Sequence, residues 1–224
     1  MFENTVGKEN SQWQKRQRII PMRSPIMLHV KYMRNEENMK IETENLIIRN
    51  FDLTDEKDLC EYMLQRVDSE FERYPNFNSE KAKEEIVSRS KSDEFFAIEL
   101  KSIHKVIGNI YLGKRDFNTR ELGYVLNEDY QNRGYGRIAS KEMIDFALKR
   151  GVHRIYAECA PQNEPSWKVM ERIGLNREAY FKKNVSFHAD EKGNPIYWDT
   201  YVYAALNPNE GDENRTKTSL SEKV

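Results

Sequence analysis

The stretch from Glu121 to Gly151 restricts the possible folds of this chain more than any other part of the sequence. It begins with a mostly apolar and aromatic segment, Glu121 to Leu126, which predicts a β-strand. A polar loop follows, then Gln131 to Arg137 with two glycines, and then an amphipathic helix that ends at Gly151. Such a loop directs several unpaired backbone N–H groups at one point, where the helix dipole adds positive potential. The stretch therefore predicts a binding site for a phosphate or pyrophosphate group.

Two other interpretations of this stretch stay open from the residues alone. The glycines could serve only a tight strand-to-helix connection, because short glycine patterns are common. Alternatively, Gly134, Gly136 and Ala139 match the G-x-G-x-x-A fingerprint of dinucleotide-binding proteins, with Glu158 near the position of the ribose-binding acid. That fingerprint places its first glycine at the strand end, whereas seven residues separate Leu126 from Gly134. The spacing therefore disfavours a dinucleotide-dependent oxidoreductase.

The order of the motifs resembles that of the GNAT superfamily of N-acetyltransferases. These motifs are Gln131-x-x-Gly134-x-Gly136, which is similar to the acetyl-CoA loop of that superfamily, the strand Arg154 to Cys159, Asn163-x-x-Ser166, and Glu171 to Leu175. The resemblance covers about residues 41–206 and is strongest to the ribosomal-protein-alanine N-acetyltransferases, the RimJ/RimL type. It implies an α/β (α+β) GNAT fold, with a mixed, mostly antiparallel central sheet of about seven strands flanked by about four helices.

Hydrophobic periodicity elsewhere in the chain fits such a sheet. Strands are predicted at 45–50, 95–100, 105–112, 120–126, 154–159, 176–185 and 196–206, and helices at 54–67, 78–86, about 138–151 and 163–174. Between the first two helices lies an aromatic segment with Phe71, Tyr74, Pro75 and Phe77. The resemblance implies that this region forms the acceptor-substrate wall, so the aromatic residues could line that pocket. Simple packing between the two helices is an equally open role.

The resemblance implies that acetyl-CoA is the cosubstrate and that no metal is required. In this superfamily the pantetheine arm pairs with two splayed central strands like an added strand. An amide at Val125 or Leu126 would then point at the thioester carbonyl as the oxyanion donor. The residues that the resemblance assigns to acetyl-CoA binding are Val125, Leu126, Gln131, Asn132, Arg133, Gly134, Tyr135, Gly136, Arg137, Asn163 and Ser166.

Acetyl transfer to an amine needs a base for the amine and a hydrogen-bond donor for the oxyanion, and the leaving thiolate can need a proton. Glu121 is the first candidate for the base, because the resemblance places a glutamate of this strand at the reaction centre. Asp199 is the second, since an acid among aromatic residues could hold an ammonium group. Ser166 is the candidate to assist the thiolate, although Asn163 and Ser166 are also ordinary helix-capping residues. Many relatives have a proton-donating tyrosine where this chain has Met170, which cannot donate a proton.

Composition restricts the partners that the chain can have. With 36 basic and 37 acidic residues, the net charge of −1 gives no whole-molecule case for nucleic-acid binding. Two cysteines, Cys60 and Cys159, cannot build a disulfide framework or a metal cage alone, and the four histidines lack metal-ligand spacing. We find no apolar run long enough for a membrane span. We therefore expect a cytoplasmic protein, a monomer or homodimer, that requires no nucleic acid and has no membrane partner.

Three segments are predicted along the chain. Residues 1–39 form a flexible basic extension, 40–206 the acetyltransferase domain, and 207–224 a disordered polar tail. The expected reaction transfers the acetyl group of acetyl-CoA to a primary amine by direct attack in a ternary complex. The acceptor is a peptide or protein N-terminus, or a small amine such as an aminoglycoside. A non-catalytic acyl-CoA-binding or regulatory relative is the alternative.

Removing both predicted extensions tests this division of the chain. Deletion of Met1 to Asn38 and of Pro208 to Val224 is expected to leave the melting temperature and acetyl-CoA binding nearly unchanged, because neither segment has core-forming periodicity. Thermal unfolding and calorimetric titration measure the two quantities. Loss of soluble expression would show instead that one segment packs against the domain or against a partner subunit.

Overall fold

The computed structural model describes residues 39–67, 69–71, 74 and 77–208 of this chain. In that part of the chain eight strands form one sheet, and four α-helices flank it. The strands are β1 (Lys40–Glu42), β2 (Leu46–Asn50), β3 (Phe95–Leu100), β4 (Lys105–Arg115), β5 (Thr119–Leu126), β6 (Arg154–Cys159), β7 (Asn176–Ala189) and β8 (Pro195–Leu206). The helices are α1 (Glu56–Leu64), α2 (Ser79–Ser90), α3 (Tyr135–Lys149) and α4 (Glu164–Arg172). The predicted α+β fold is confirmed, and the three-residue β1 is the strand that the sequence did not predict.

The helices cover the two faces of the sheet in pairs. The strand order is β1-β2-β3-β4-β5-β6-β8-β7, and every neighbouring pair is antiparallel except β5 and β6. Met143 of α3 and Met170 of α4 belong to the core on one side, here called the α3/α4 face. Leu59 of α1 and Ile86 of α2 belong to the core on the other side, the α1/α2 face.

Side chains along β5 alternate between these two faces. Leu122 joins the core of the α3/α4 face, and Val125 joins the core of the α1/α2 face. Tyr124 therefore lies on the α3/α4 face and Glu121 on the α1/α2 face. This alternation decides which predicted site residues can meet.

The central strands β5 and β6 are parallel and pair over three residues only, from Thr119 opposite Arg154 to Glu121 opposite Tyr156. Beyond that point β5 remains paired with β4, and β6 remains paired with β8. The facing edges of residues 122–126 and 157–159 are therefore separated. We call this gap the β5/β6 slit, and it agrees with the splayed strands that the resemblance implies.

A β-bulge in β4 lies beside the end of β5. The register between β3 and β4 skips Ile107. Next to it Gly108 pairs with Leu126, and a Cβ at Gly108 would lie 2.2 Å from the carbonyl oxygen of Val125. Bulges bend a strand and increase its twist. Because Gly108 has no side chain, the end of β5 can lie close against β4, on the side away from β6.

The ends of several elements differ from the prediction. Strand β7 runs to Ala189 because the hairpin turn is tighter than expected, with Asp190 accepting from the backbone N–H groups of Lys192 and Asn194 at 2.9 and 2.8 Å.

Asn207, the first residue of the predicted tail, is buried and donates to the carbonyl groups of Leu148 and Val152. The remainder of that tail after residue 208, and the predicted extension up to residue 38, lie outside the described residues.

Substitution of Gly108 tests the close approach of β4 and β5. Gly108→Ala is expected to destabilise the fold by about 2 kcal/mol, because the added methyl group meets a backbone atom that cannot move freely. For a domain of this size that corresponds to a fall of roughly 4–8 °C in Tm, measured by thermal unfolding. Gly123→Ala on β5 is the matched control, since its Cβ would make only ordinary contacts at 3.6 Å or more. An equal loss of Tm in both variants would contradict the packing argument.

Candidate active site

A pocket of about 130 Å³ lies at the open end of the β5/β6 slit. Its walls come from β5, from β6 and the residues that follow it, from α4, and from the segment after α1. The lining residues are Phe71, Leu122, Gly123, Tyr124, Glu158, Cys159, Ala160, Asn163, Ser166 and Met170. Because the strands part here, side chains from both faces of the sheet reach one space.

The loop between β5 and α3 has the geometry of an anion-binding turn. Asn132 and Gly134 both have left-handed backbone conformations, with φ of 59° and 81°. No side chain caps α3 and its first turn has no acidic residue, whereas α2 and α4 are each capped by an asparagine. Arg133 and Arg137 are exposed beside this helix end. The first N–H groups of a helix lack intrahelical partners, so this end of α3 offers donors and positive potential to an anion.

Other residues of the loop fix its position on the strand. Gly136 is buried, and a Cβ there would lie 3.1 Å from Cδ1 of Leu126, so the glycine lets α3 lie close to β5. Gln131 donates from Nε2 to the carbonyl oxygen of Leu126 at 3.2 Å. Tyr135 packs against the core of the α3/α4 face. These contacts fix the position of the loop, and the acetyl-CoA-binding role of the three residues stays a prediction.

A buried polar network ties the same loop to α1. Asn127 is fully buried; its Nδ2 donates to Oε1 of Glu61 at 2.8 Å, and its Oδ1 accepts from Gln65 at 3.3 Å and from the Asp129 backbone at 3.0 Å. Lys105 donates to Glu61 at 2.8 Å, and this hydrogen bond lowers the pKa of the Glu61 carboxyl. The start of the loop is thus held by a helix on the α1/α2 face.

The backbone of β5 offers one of the two predicted amides to the slit. The N–H of Asn127 donates to the carbonyl of Ile107 on the β4 side at 2.8 Å. Since successive N–H groups of a strand point to opposite edges, the N–H and C=O of Leu126 face the slit, and those of Val125 face β4. The bond from Gln131 to the Leu126 carbonyl agrees with this direction. The Leu126 N–H is therefore the donor that a group in the slit can reach.

Glu121 lies on the α1/α2 face with a basic and a phenolic partner. It is in register with Tyr156, whose hydroxyl donates to Oε2 of Glu121 at 3.3 Å. Arg115 forms an ion pair with the same oxygen. These two partners hold the carboxylate in one position beside the point where β5 and β6 separate.

Glu158 lines the pocket, two residues after Tyr156 and therefore on the same face as Glu121. Partial burial raises the pKa of the Glu158 carboxyl, and the nearby charge of Glu121 raises it further. A carboxylate whose pKa is shifted towards neutrality has the property that a general base requires. The sequence had suggested Glu158 only as a ribose-binding acid.

Three hydroxyl and thiol groups meet at the pocket on the α3/α4 face. The Tyr124 hydroxyl lies 3.2 Å from the carbonyl oxygen of Ser166 and 3.4 Å from its Oγ. Burial raises the pKa of the Cys159 thiol to about 11, and its hydrogen bond with Ser166 offsets part of this rise. Asn163 caps α4 by accepting from the Ser166 N–H at 3.3 Å, which is the structural role that its residue type predicts.

Asp199, the second candidate for the base, is not brought together with the two glutamates. Val202 stands opposite Glu158 in the β6–β8 register, so alternation along β8 places Asp199 on the α3/α4 face. Its carboxylate accepts from the hydroxyl of Tyr180 and from the Lys183 N–H, and these bonds lower the pKa of Asp199. Asp199 therefore links β8 to β7 through these hydrogen bonds.

Sequence reasoning missed Arg115, Tyr156, the pocket position of Glu158, and the contact of Tyr124 with α4. Period-2 alternation from Glu121 was a usable signal for the face of Tyr124. The register that pairs Glu121 with Tyr156 has no local signal, because it depends on how two distant strands meet.

The described residues contain neither a cluster of metal-binding side chains nor a membrane-spanning helix. Across residues 39–67, 69–71, 74 and 77–208, no group of three His, Cys, Asp or Glu side chains could hold a metal ion. In the same part of the chain, no helix is both long and apolar enough to cross a membrane.

Comparison with known proteins identifies the family to which this chain belongs. Residues 45–176 match the family model of the acetyltransferase (GNAT) domain. The chain is 38% identical over 178 residues to an uncharacterized N-acetyltransferase of Bacillus subtilis (strain 168), YnaD, covering 75% of this chain and 97% of YnaD. Its fold is similar to a GNAT-family acetyltransferase from Bacillus anthracis, with a TM-score of 0.68, 33% identity, and coverage of 75% of this chain and 99% of that chain.

A third similar protein is a ribosomal-protein-S5-alanine acetyltransferase from Vibrio fischeri, with a TM-score of 0.64, 25% identity, and coverage of 76% of this chain and 98% of that chain. The chain belongs to the GNAT acetyltransferase family. It is accordingly an acetyl-CoA-dependent N-acetyltransferase. The interpretation of the glycine pattern as a dinucleotide-binding fingerprint is therefore wrong. The slit and the uncapped end of α3 fit acetyl-CoA, which has an extended amide-containing arm and a pyrophosphate.

Charge reversal at Arg137 tests the anion site at the start of α3. Arg137→Glu is expected to weaken acetyl-CoA binding about tenfold or more, because a negative side chain replaces a cation beside the pyrophosphate position. Lys149→Glu makes the same change at the far end of α3, roughly 20 Å away and beyond the screening length at physiological salt. Its affinity should stay within about twofold of wild type in calorimetric titration. Equal weakening in both variants would indicate a general effect of net charge and not a local contact.

Proposed function

We propose that the chain transfers the acetyl group of acetyl-CoA to a primary amine by direct attack in a ternary complex. The observation that carries this proposal is the continuity of three features: the end of α3, the β5/β6 slit and the pocket at its open end. The pyrophosphate binds at the loop before α3, where Asn132 and Gly134 have left-handed backbone conformations and the first N–H groups of the helix lack intrahelical partners. The pantetheine arm extends along the slit and pairs with the exposed edge of β5.

The thioester carbonyl is then placed at the end of β5. The N–H of Leu126 faces the slit and supplies the oxyanion donor for the tetrahedral intermediate. Because this donor belongs to a strand that is anchored on its other edge by β4, it needs no rearrangement during the reaction.

The amine attacks from the α1/α2 face, where Glu121 and the pocket carboxylate Glu158 lie. Glu121 is held by Arg115 and Tyr156, so it attracts the ammonium form of the acceptor without changing position. Glu158 has no ion-pair partner among the described residues, and it lines the pocket directly. We assign proton removal from the amine to Glu158, with Glu121 as the neighbouring charge that makes Glu158 more basic.

The acceptor side of the pocket is acidic and aromatic. Phe71, which lines the pocket, contacts Trp198 edge to face, with ring centroids 5.6 Å apart and planes at 73°. Val202 of β8 stands opposite Glu158, and Trp198 lies an even number of residues before Val202 on the same strand. Trp198 and Glu158 therefore lie on the same face of the sheet. Carboxylates beside aromatic rings attract a protonated amine. Tyr74 and Phe77 belong to or border the core of this face, and Pro75 lies outside the described residues.

A peptide N-terminus is the first acceptor to test, because a similar structure is that of a ribosomal-protein-S5-alanine acetyltransferase. This choice corresponds to the RimJ/RimL type. Small amines, including polyamines and aminoglycosides, are the other acceptors of the proposal. Cys60 and Cys159 are both free thiols, which fits a reducing compartment such as the cytoplasm.

A panel of these acceptors with acetyl-CoA, followed by release of free thiol, tests the activity. Thiol release that depends on one acceptor class, with a matching mass increase of the acceptor, supports the proposal. Binding of acetyl-CoA without thiol release across the panel would favour a non-catalytic acyl-CoA-binding protein.

Conservative substitutions separate the three acidic candidates. Glu158→Gln is expected to lower kcat/KM about a hundredfold near neutral pH, since the amide cannot accept the proton. Glu121→Gln should cost less, about tenfold, because it removes a neighbouring charge and leaves the proton acceptor in place. Asp199→Asn is the matched control and should retain activity. A hundredfold loss in Glu121→Gln with normal Glu158→Gln turnover would make Glu121 itself the base.

The pH profile gives an independent check on the base. A base works only when ionised, and the pKa of Glu158 is raised, so activity should fall as the pH drops through a value above the usual range of glutamate. In Glu158→Gln this acidic limb should disappear, while in Glu121→Gln it should move to lower pH. A limb that is identical in all three proteins would assign it to the ionisation of the amine.

A further inference from the structure

Gly123 of β5 is a glycine that the fold does not require. A glycine is needed where the backbone is left-handed, or where a neighbouring atom occupies the position of a Cβ. In the described part of the chain, the glycines with a left-handed backbone are Gly134, Gly151, Gly174 and Gly193. The glycines with a neighbouring atom within 3.1 Å of the Cβ position are Gly108, Gly113 and Gly136. Gly123 belongs to neither group, because its φ is not positive and the nearest atoms to its Cβ position are two carbons of Tyr111 at 3.6 and 3.7 Å.

A glycine at this position reduces the stability of the strand. In a strand interior, glycine has no side chain to pack and loses more conformational freedom on folding than alanine does. Such a glycine often marks a place where a ligand or another backbone approaches closely. Gly123 lines the pocket, and no other backbone comes within contact distance of its Cβ position. The close approach of a ligand is therefore the reason that fits this glycine.

Gly123 lies across the β5/β6 slit from Glu158. The last pair of the two parallel strands is Glu121 with Tyr156, and Gly123 and Glu158 each lie two residues further along their strands. Both residues therefore belong to the α1/α2 face of the sheet. A side chain at position 123 would stand beside the Glu158 carboxylate, on the side from which we propose that the amine enters.

The neighbouring Gly113 shows how a protein side chain fills a space of this kind. Tyr111 lies along β4 over Gly113, where an added Cβ would overlap the tyrosine hydroxyl. That hydroxyl accepts from Arg115 at 3.3 Å, and the ring packs against Phe95 with ring centroids 4.8 Å apart. Tyr111 is thus held over Gly113, and the space over Gly123 is left open among the described residues.

We propose that Gly123 determines which acceptors the enzyme takes: the space over it receives the substituent on the carbon that carries the attacking amine. This inference rests on the proposed function, because it uses Glu158 as the group that removes the amine proton. An amine at Glu158 places its own carbon beside Gly123. The N-terminal residue of a peptide has a branched carbon there, whereas a linear amine does not. The site therefore favours amines on branched carbons, such as the N-terminus of a peptide that begins with alanine.

Gly123→Ala tests this assignment with two peptides that differ only in their first residue, alanine or glycine. With the alanyl peptide, kcat/KM is expected to fall about tenfold or more, because the new methyl group takes the space of the alanine methyl group. The glycyl peptide is the control, since it has no substituent to place there, and its kcat/KM should change less than about threefold. Gly123→Val enlarges the same side chain and should extend the difference between the two peptides.

Two further measurements separate this effect from a structural one. The Tm of Gly123→Ala should be unchanged or higher, because alanine suits a strand interior better than glycine and its Cβ makes only ordinary contacts. The affinity for acetyl-CoA should remain that of wild type, since the added methyl group lies on the α1/α2 face and not at the loop before α3. Calorimetric titration of each peptide into the CoA-bound protein gives a readout without turnover: Gly123→Ala should weaken binding of the alanyl peptide and leave that of the glycyl peptide unchanged.

Several results would overturn the role of Gly123. Equal losses with both peptides, or no loss with either, would show that the space does not receive the substituent. Wild-type turnover of unbranched amines alone would contradict the preferred acceptor class. A fall in Tm or in acetyl-CoA affinity that matches the loss of activity would assign Gly123 to the fold or to the cosubstrate site. Absence of thiol release by wild type with every acceptor would count against the proposed function, and the peptide titrations would still decide the role of Gly123.

Discussion

The brief parallel pairing of β5 and β6 is the contact on which the rest of the site depends. Three residue pairs hold the strands together, and from there each strand keeps only its outer partner. The open edges carry backbone N–H and C=O groups that must find partners if they are buried. An extended ligand with amide groups satisfies them as an added strand would. Longer pairing would close the slit, and no pairing would leave Glu121 and Tyr156 without their common register.

The same separation of strands explains why groups of different chemistry can share one pocket. In a continuous sheet, Glu158 and Ser166 would be kept apart by the backbone between the two faces. Here the slit passes through the sheet, so the Glu158 carboxylate of the α1/α2 face and the hydroxyl groups of the α3/α4 face line the same pocket of about 130 Å³. Acetyl transfer to an amine needs a group that accepts the proton of the amine and can use a donor for the leaving thiolate, so a pocket with both kinds of group suits the proposed reaction.

Local sequence signals were sufficient to predict the fold, including the glycine-containing loop before α3. The strand, the glycine-containing loop and helix α3 are contiguous, so propensity and periodicity determine them without reference to distant residues. The side chains proposed for catalysis depend on register instead. Glu158 lies on the same face as Glu121 only because Glu121 stands opposite Tyr156, and Asp199 lies on the other face only because Val202 stands opposite Glu158. A shift of either pairing by one residue would exchange the faces, and no local pattern in the sequence fixes these pairings.

The buried Asn127 links the α1 region to the loop between β5 and α3. Both ends of its amide are used, by Glu61 and Gln65 of the α1 region and by Asp129 within the loop. Removing one partner would leave a buried polar group unpaired, which costs about 1–3 kcal/mol. The loop therefore cannot move away from α1 without that cost, and a displacement of α1 displaces the loop. Since α1 packs on the face from which we propose that the amine enters, the proposed contacts of the acceptor and of acetyl-CoA both bear on this network.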